Sequence, residues 1–486
     1  MFEKSHQYTN LKSFTAAVML LSVIIFSFPA NADDIQKQID ALRNRIESVE
    51  EDTTEMRSSL DKLREDNAEP WLTEERANQI KTLVHDVLSD ADTRRNLVGD
   101  GLLGGWDGGF FLASSDDRFR LKVGGLIQER YILNHRRVPD RWRSGFENTR
   151  TRLNISGHIF DRDTAFLIQP GFGWIDPNSF ASAFMGQVVT NMGARFWDAW
   201  VNFKLSDSWS AKAGIYMLPF TRESLVSDQF QMAVDRSLID YRVGLGRSQG
   251  LQFTYAEDNV RAFMSFSDGS ITLGSNSVAL ANQTPPWSAI GNGTEWSSTG
   301  RVEFLTQGQW TQFNTFTSEP GSSQASMLGI AVHVQQGASG DNYTRTSKVD
   351  IGVTADWSMN FDGGTFFASG TIINQKEAER AGAINENLDW VGYVLQGSIY
   401  TTSTTELFLR FSGGGVMQNA AGGDDLHILT AGANWYLDGQ GLKITSDFGW
   451  SLGDVSLQTA NYMVGWRQSP DLEGQWLFRT QLQLLF

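Results

Sequence analysis

The chain closes on WLFRTQLQLLF, residues 476–486. Successive side chains of an extended strand point to opposite faces, so Trp476, Phe478, Thr480, Leu482, Leu484 and Phe486 share one side and Arg479, Gln481 and Gln483 the other. One side suits hydrocarbon and the other water, over about ten residues, the length with which a tilted strand crosses a bilayer. The same period is cleaner at 150–159, where Thr151, Leu153, Ile155, Gly157 and Ile159 oppose Arg150, Arg152, Asn154, Ser156 and His158.

Strands of this kind are expected near 119–133, 148–161, 163–172, 194–205, 208–217, 248–257, 259–267 and 298–307, and near 326–336, 346–359, 363–374, 389–402, 404–414, 427–437, 441–451 and 475–486. That makes sixteen. A seventeenth candidate, QWTQFNTFT at 309–317, fails on parity. The tight connections at Asp161–Asp163, Ser206–Ser208 and Glu257–Asn259 must share one side of the membrane with those at Asn360–Gly363, Thr402–Thr404 and Asp438–Gln440, which requires 309–317 to belong to a connection. The expected fold is an all-β membrane protein, a 16-stranded antiparallel transmembrane β-barrel over 119–486, with the terminal aromatic Phe486 as the signal for its assembly in an outer membrane.

Composition agrees. The 486 residues include 47 Gly, 31 Phe and 16 Trp, and no Cys, so disulfides and thiolate chemistry are excluded. Mean hydropathy is only −0.29, far below that of a helical membrane protein. Lys4 and Lys12 precede an apolar run from Phe14 to Phe28, and Ala30 and Ala32 offer a cleavage site, so residues 1–32 read as a signal peptide. Net charge is −16, and residues 33–100 hold 18 acidic against 10 basic side chains. Nucleic acid is not an expected partner for such a chain.

Between signal and barrel, Ile35, Ile39, Leu42, Ile46, Val49, Thr53, Met56, Leu60 and Leu63 alternate in steps of four and three. This heptad seam predicts a coiled coil over 33–66, and Ile at both a and d favours three strands. An amphipathic helix packed on its own barrel is the alternative. Pro70 ends that helix, and a short helical linker is expected at 70–98, followed by a Gly-rich joint at 99–118. The acidic stalk fits the periplasm.

Several segments resemble, in order and spacing, the family of phosphate-selective porins O and P: FRLKVGGLIQERY (119–131) with its paired glycines, FENTRTRLNISGHIFDRDTAFLIQPGF (146–172), WDAWVNFKLSDSWSAKAGIYMLPFTRESLVS (197–227) and DRSLIDYRVGLGRSQGLQF (235–253). The resemblance implies a sixteen-stranded barrel, three copies per assembly and a pore narrowed by inward-folded loops. In phosphate-selective members, arginines lead anions to a basic constriction. The counterpart here is the crowd of Arg130, Arg136, Arg137, Arg141, Arg143, Arg150 and Arg152, whose alternation turns Arg150 and Arg152 to the lumen. Solvation of an exposed loop, or binding of acidic sugars there, is the competing reading of that crowd. The long connection from Leu218 to Arg247 would be the inward loop. Its Arg222, Arg236, Arg242 and Arg247 are opposed by Glu223, Asp228, Asp235 and Asp240, and no lysine cluster accompanies them, which departs from a strongly basic filter.

Pore-lining candidates are therefore Arg130, Arg150, Arg152, Arg222, Arg236, Arg242, Arg247, Asp235 and Asp240. The expected function is passive diffusion of small polar solutes and ions across the outer membrane, with weak anion preference. A structural protein tethering that membrane to peptidoglycan through the coiled coil is the alternative. His6, His85, His135, His158, His333 and His427 are scattered without metal-site spacing, and no nucleophile constellation stands out, so no enzyme activity, metal or cofactor is expected.

Overall fold

The computed structural model describes residues 102–137, 140–172, 194–270, 294–337, 349–380, 383–416, 426–453, 455, 464–467 and 474–486. The expected signal peptide, coiled-coil seam and helical linker lie outside the described residues.

Two short strands, β1 (Leu102–Trp106) and β2 (Phe110–Ser114), form a hairpin within the stretch expected as a Gly-rich joint. Sixteen further strands follow: β3 (Arg120–Arg136), β4 (Arg141–His158), β5 (Thr164–Phe172), β6 (Ala194–Lys204), β7 (Trp209–Met217), β8 (Arg247–Ala256), β9 (Val260–Ser267), β10 (Thr294–Gln307), β11 (Ala325–Gly337), β12 (Val349–Phe361), β13 (Gly364–Arg380), β14 (Ala383–Tyr400), β15 (Thr405–Val416), β16 (Leu426–Asp438), β17 (Leu442–Ser451) and β18 (Trp476–Leu485). Each pairs antiparallel with the next, and β18 pairs with β3 from Trp476↔His135 to Leu485↔Leu126, which closes the barrel. Every expected strand is present. Several run further toward the long-connection side than the apolar alternation indicates; β4 begins at 141 and β14 at 383. Backbone pairing needs no lipid-facing side chain, so a hairpin continues beyond the point where the alternation stops.

Polarity is inverted relative to a water-soluble protein. Gln128, Arg130, Arg152, Arg301, Glu406 and Asp447 are buried in the interior, while Met264, Phe266, Ile330, Ile372, Ile399 and Leu409 are exposed on the outside. With hydrocarbon as the outer solvent, backbone groups must pair within the wall, and only a closed sheet achieves that with strands. The turn between β12 and β13 needs Gly363, whose φ of +69° is a left-handed value that side chains disfavour.

The seam is sealed by the chain's last residue. Gly125 N–H donates to the Phe486 carbonyl at 2.6 Å, and Phe486 N–H donates back to Gly125 O at 3.1 Å. A Cβ on Gly124 would stand 2.7 Å from the Phe486 carbonyl oxygen, and one on Gly125 would stand 2.4 Å from its ring. The paired glycines of the first barrel strand thus seat the terminal aromatic. Beyond that point β2 takes the place of β18 along β3, from Phe110↔Val123 to Ala113↔Arg120.

The segment 309–317 lies in the connection between β10 and β11, as turn parity requires. A single 3-10 turn, Trp310–Phe313, is capped reciprocally by Gln309 and Gln312. Phe313 and Phe316 are then buried. The connection therefore turns into the lumen from the tight-turn side, which in such barrels faces the periplasm.

Candidate pore constriction

The connection between β7 and β8, residues 218–246 and here called loop 3, is tied at its base by Leu218 N–H donating to Gly246 O at 3.0 Å. It carries two short helices, α1 (Arg222–Leu225) and α2 (Leu238–Val243), the second N-capped by Ser237. Its apolar side chains do not face solvent. Phe220, Val226, Met232, Ile239, Val243 and Leu245 form a buried cluster with Ile373, Trp390, Val394 and Phe408 of the wall. Each such side chain stabilises the folded-in position by about 1.5–3 kcal/mol.

Charge fixes where the loop crosses. Asp228 pairs with Arg152, with Arg236 at 2.7 Å and with Arg150 at 3.4 Å. Asp235 takes Arg150 at 2.7 Å and Arg130 at 2.9 Å, and accepts from Tyr241 Oη at 2.7 Å. Arg130 also holds Glu147 of β4 at 2.6 Å. From the far wall, Arg410 donates to Asp235 O at 2.8 Å, Asn434 to Met232 O at 2.9 Å, and Lys443 to Gln229 O at 2.9 Å. Asp447, itself paired with Arg479 at 2.6 Å, accepts from Val234 N–H. With Gln483 of β18 donating to Gln229 O at 3.2 Å, loop 3 is hydrogen-bonded to β3, β4 and β15–β18 at once. It also meets the inward β10–β11 connection: Arg222 donates to Phe313 O, and Phe316 N–H donates to Phe230 O at 3.1 Å. The lumen is narrowed from both sides of the membrane.

Most of the arginines expected to line the pore sit in this lattice. Arg130, Arg150, Arg152 and Arg236 are buried, each on a carboxylate. Arg222 is buried against the inward connection. Two lie apart: Arg242 stacks on the Trp390 ring, 3.8 Å from its centroid, and Arg247 pairs with Asp198 at 2.9 Å. Sequence reading missed Arg301, which holds Asp356 at 2.7 Å and Glu303 at 2.8 Å while donating to Phe220 O. Arg410, Lys443 and Asp447 went unnamed as well, and Arg479, though placed on the water face of the last strand, is absent from the pore-lining candidates. Alternation was the available signal, since all five belong to the water face of their strands.

Residues 140–472 match the family described as phosphate-selective porin O and P. The chain belongs to that family. It is a porin, an outer-membrane channel. No curated protein sequence matches it. Among solved structures, the anion-selective porin from Comamonas acidovorans is similar at 12% identity and a TM-score of 0.49, covering 75% of this chain and 99% of that one. The outer membrane channel DcaP of Acinetobacter baumannii is similar at 12% identity and 0.48, covering 79% and 100%. OmpT of Vibrio cholerae is similar at 8% identity and 0.49, covering 76% and 98%.

Two loop carboxyls of this porin are oppositely biased. Burial alone would raise Asp228, but Arg150, Arg152 and Arg236 outweigh it and hold that carboxyl well below its ordinary range. Asp240 is pushed up to about 6 by burial and by the Glu223 carboxylate, against Arg236 and the Thr221 and Ser224 hydroxyls that donate to it. A carboxyl kept neutral by the fold contributes stability that is complete below its unfolded value and is lost as pH rises through its folded one. Asp228 does not titrate in that window. Acidifying from about pH 7.5 to about pH 5 is therefore expected to tighten loop 3 and quiet its current noise in a bilayer. Asp240→Asn should be quiet throughout, and a variant that kept the parent's pH response would exonerate Asp240.

Proposed function

We propose that this porin passes small polar solutes and ions by passive diffusion, with weak anion preference, through a lumen constricted by loop 3 and the β10–β11 connection. The observation that carries this reading is the near balance of the lattice, in which Arg130, Arg150, Arg152, Arg236, Arg410 and Arg479 face Glu147, Glu223, Asp228, Asp235 and Asp447. A small basic excess in a low-dielectric channel biases the local ion population without building a phosphate trap.

Solvent access supports a passage along β6–β8. Lumen-facing Asn202, Lys212 and Thr254 there are only half-buried, with Lys212 over the Trp200 ring at 4.7 Å. Three copies joined in the periplasm by the coiled coil expected at 33–66 make the proposed assembly, and the heptad seam supports it. Purified protein in planar bilayers should give discrete conductance steps and, under a salt gradient, a small reversal potential of anion sign. Cation selectivity would overturn the reading of the charges, and the absence of steps would overturn the channel.

A further inference from the structure

One stretch of the lumen wall is apolar without being covered. The inward side chains of Ile373, Trp390, Val394 and Phe408 are buried beneath loop 3. Leu167 on β5 also faces inward, since it stands opposite Ser156 of β4, which shares a strand face with Arg152. It belongs to none of the buried clusters and is only half-buried. Its partner on the next strand is Trp200 of β6, itself half-buried and packed against the loop 3 cluster. Leu167 and Trp200 thus form an apolar shelf at the edge of the passage along β6–β8.

An ammonium stands over that shelf. Lys212 Nζ of β7 lies 4.7 Å from the Trp200 ring centroid and 5.9 Å from that of Tyr216. Gly214, opposite Trp200, has no side chain to come between them. Asp198, on the neighbouring strand, is taken by Arg247 at 2.9 Å. Among the described residues, no oxygen accepts from the three N–H donors of Lys212, and only aromatic rings hold it in place. Arg130, Arg150, Arg152 and Arg236 differ, each being already on a carboxylate. A charge within the bilayer span is costly and marks a solute pathway. A cation with free donors beside an apolar surface, with neutral Asn202 opposite it, has the makeup of a small-molecule site. Chloride or phosphate would use the ammonium alone, whereas a carboxylate with an apolar body would use the shelf as well.

We propose that Lys212, Trp200 and Leu167 form a subsite for organic monocarboxylates that carry an apolar body. The carboxylate accepts from Lys212 Nζ while the body covers Leu167 and the edge of the Trp200 ring. The subsite names a solute class for the diffusion pathway along β6–β8 and rests on that pathway.

Hexanoate is the probe, with acetate as the same headgroup without the body and phosphate as an anion without the carboxylate. Purified full-length porin in planar bilayers, bathed in chloride, should lose current as millimolar hexanoate is added, while equimolar acetate or phosphate leaves the current unchanged. Lys212→Gln should raise the hexanoate concentration needed by about tenfold, the scale of one charge-assisted hydrogen bond. Leu167→Ser should also weaken the response yet keep the parent's chloride reversal potential, which separates the shelf from the charge. Equal effects of hexanoate and acetate in the parent, a comparison that needs no variant, overturn the subsite. So does phosphate acting like hexanoate, or an unchanged response in Lys212→Gln. Chloride steps without a hexanoate effect count against the subsite alone, whereas absence of steps removes the pathway with it.

Discussion

Asp228→Asn combined with Asp235→Asn is expected to convert a weakly selective pore into a strongly anion-selective one. These carboxylates neutralise Arg130, Arg150, Arg152 and Arg236 within the lumen. Asparagine keeps the shape but removes the charge, leaving guanidinium groups that cannot lose their protons in solution. Breaking one member of a buried pair costs about 3–5 kcal/mol in a dry site, and the loss falls on the attachment of loop 3 to the wall. Two changes follow. The anion-to-cation permeability ratio, read as a reversal potential in a salt gradient, should rise by about tenfold through uncompensated field focusing. Open-channel current should grow and flicker as the loop detaches. A double variant with the parent's selectivity would show that the lattice does not govern the ions that pass.

The second large effect concerns closure. Gly124→Val with Gly125→Val puts branched side chains where the terminal residue sits, at positions where even a Cβ would be 2.7 Å from the Phe486 carbonyl oxygen and 2.4 Å from its ring. Glycine is required here by close approach rather than by an unusual φ. The pair of backbone bonds between residues 125 and 486 would be lost, each leaving a polar group beside hydrocarbon at a cost of about 1–3 kcal/mol. Refolding of purified protein in detergent should yield roughly a tenth or less of the heat-modifiable barrel. Normal refolding yield would mean that Phe486 matters to assembly factors in the cell but not to the seam itself.

Legibility in the sequence followed the range of the interaction. The inward direction of Arg150 and Arg152 came from alternation, a property of neighbouring residues, and both are indeed buried. Their partners could not come that way, because Asp228 and Asp235 lie 76 and 85 residues further on, in a loop with no strand period. Arg301 shows the intermediate case: its face is readable, yet its hold on Phe220 O depends on a loop 81 residues before it.

The membrane-spanning wall, its strand count and its two faces follow from residue order alone. A strand in a bilayer has one solvent on each side, so period two and turn parity are forced on the residues locally. Even the rejection of 309–317 as a strand needed only counting. Where that segment goes, how loop 3 folds across the lumen, and which arginines end on which carboxylates were decided by the tertiary structure alone. Those contacts form only after the barrel has closed around the space in which they meet.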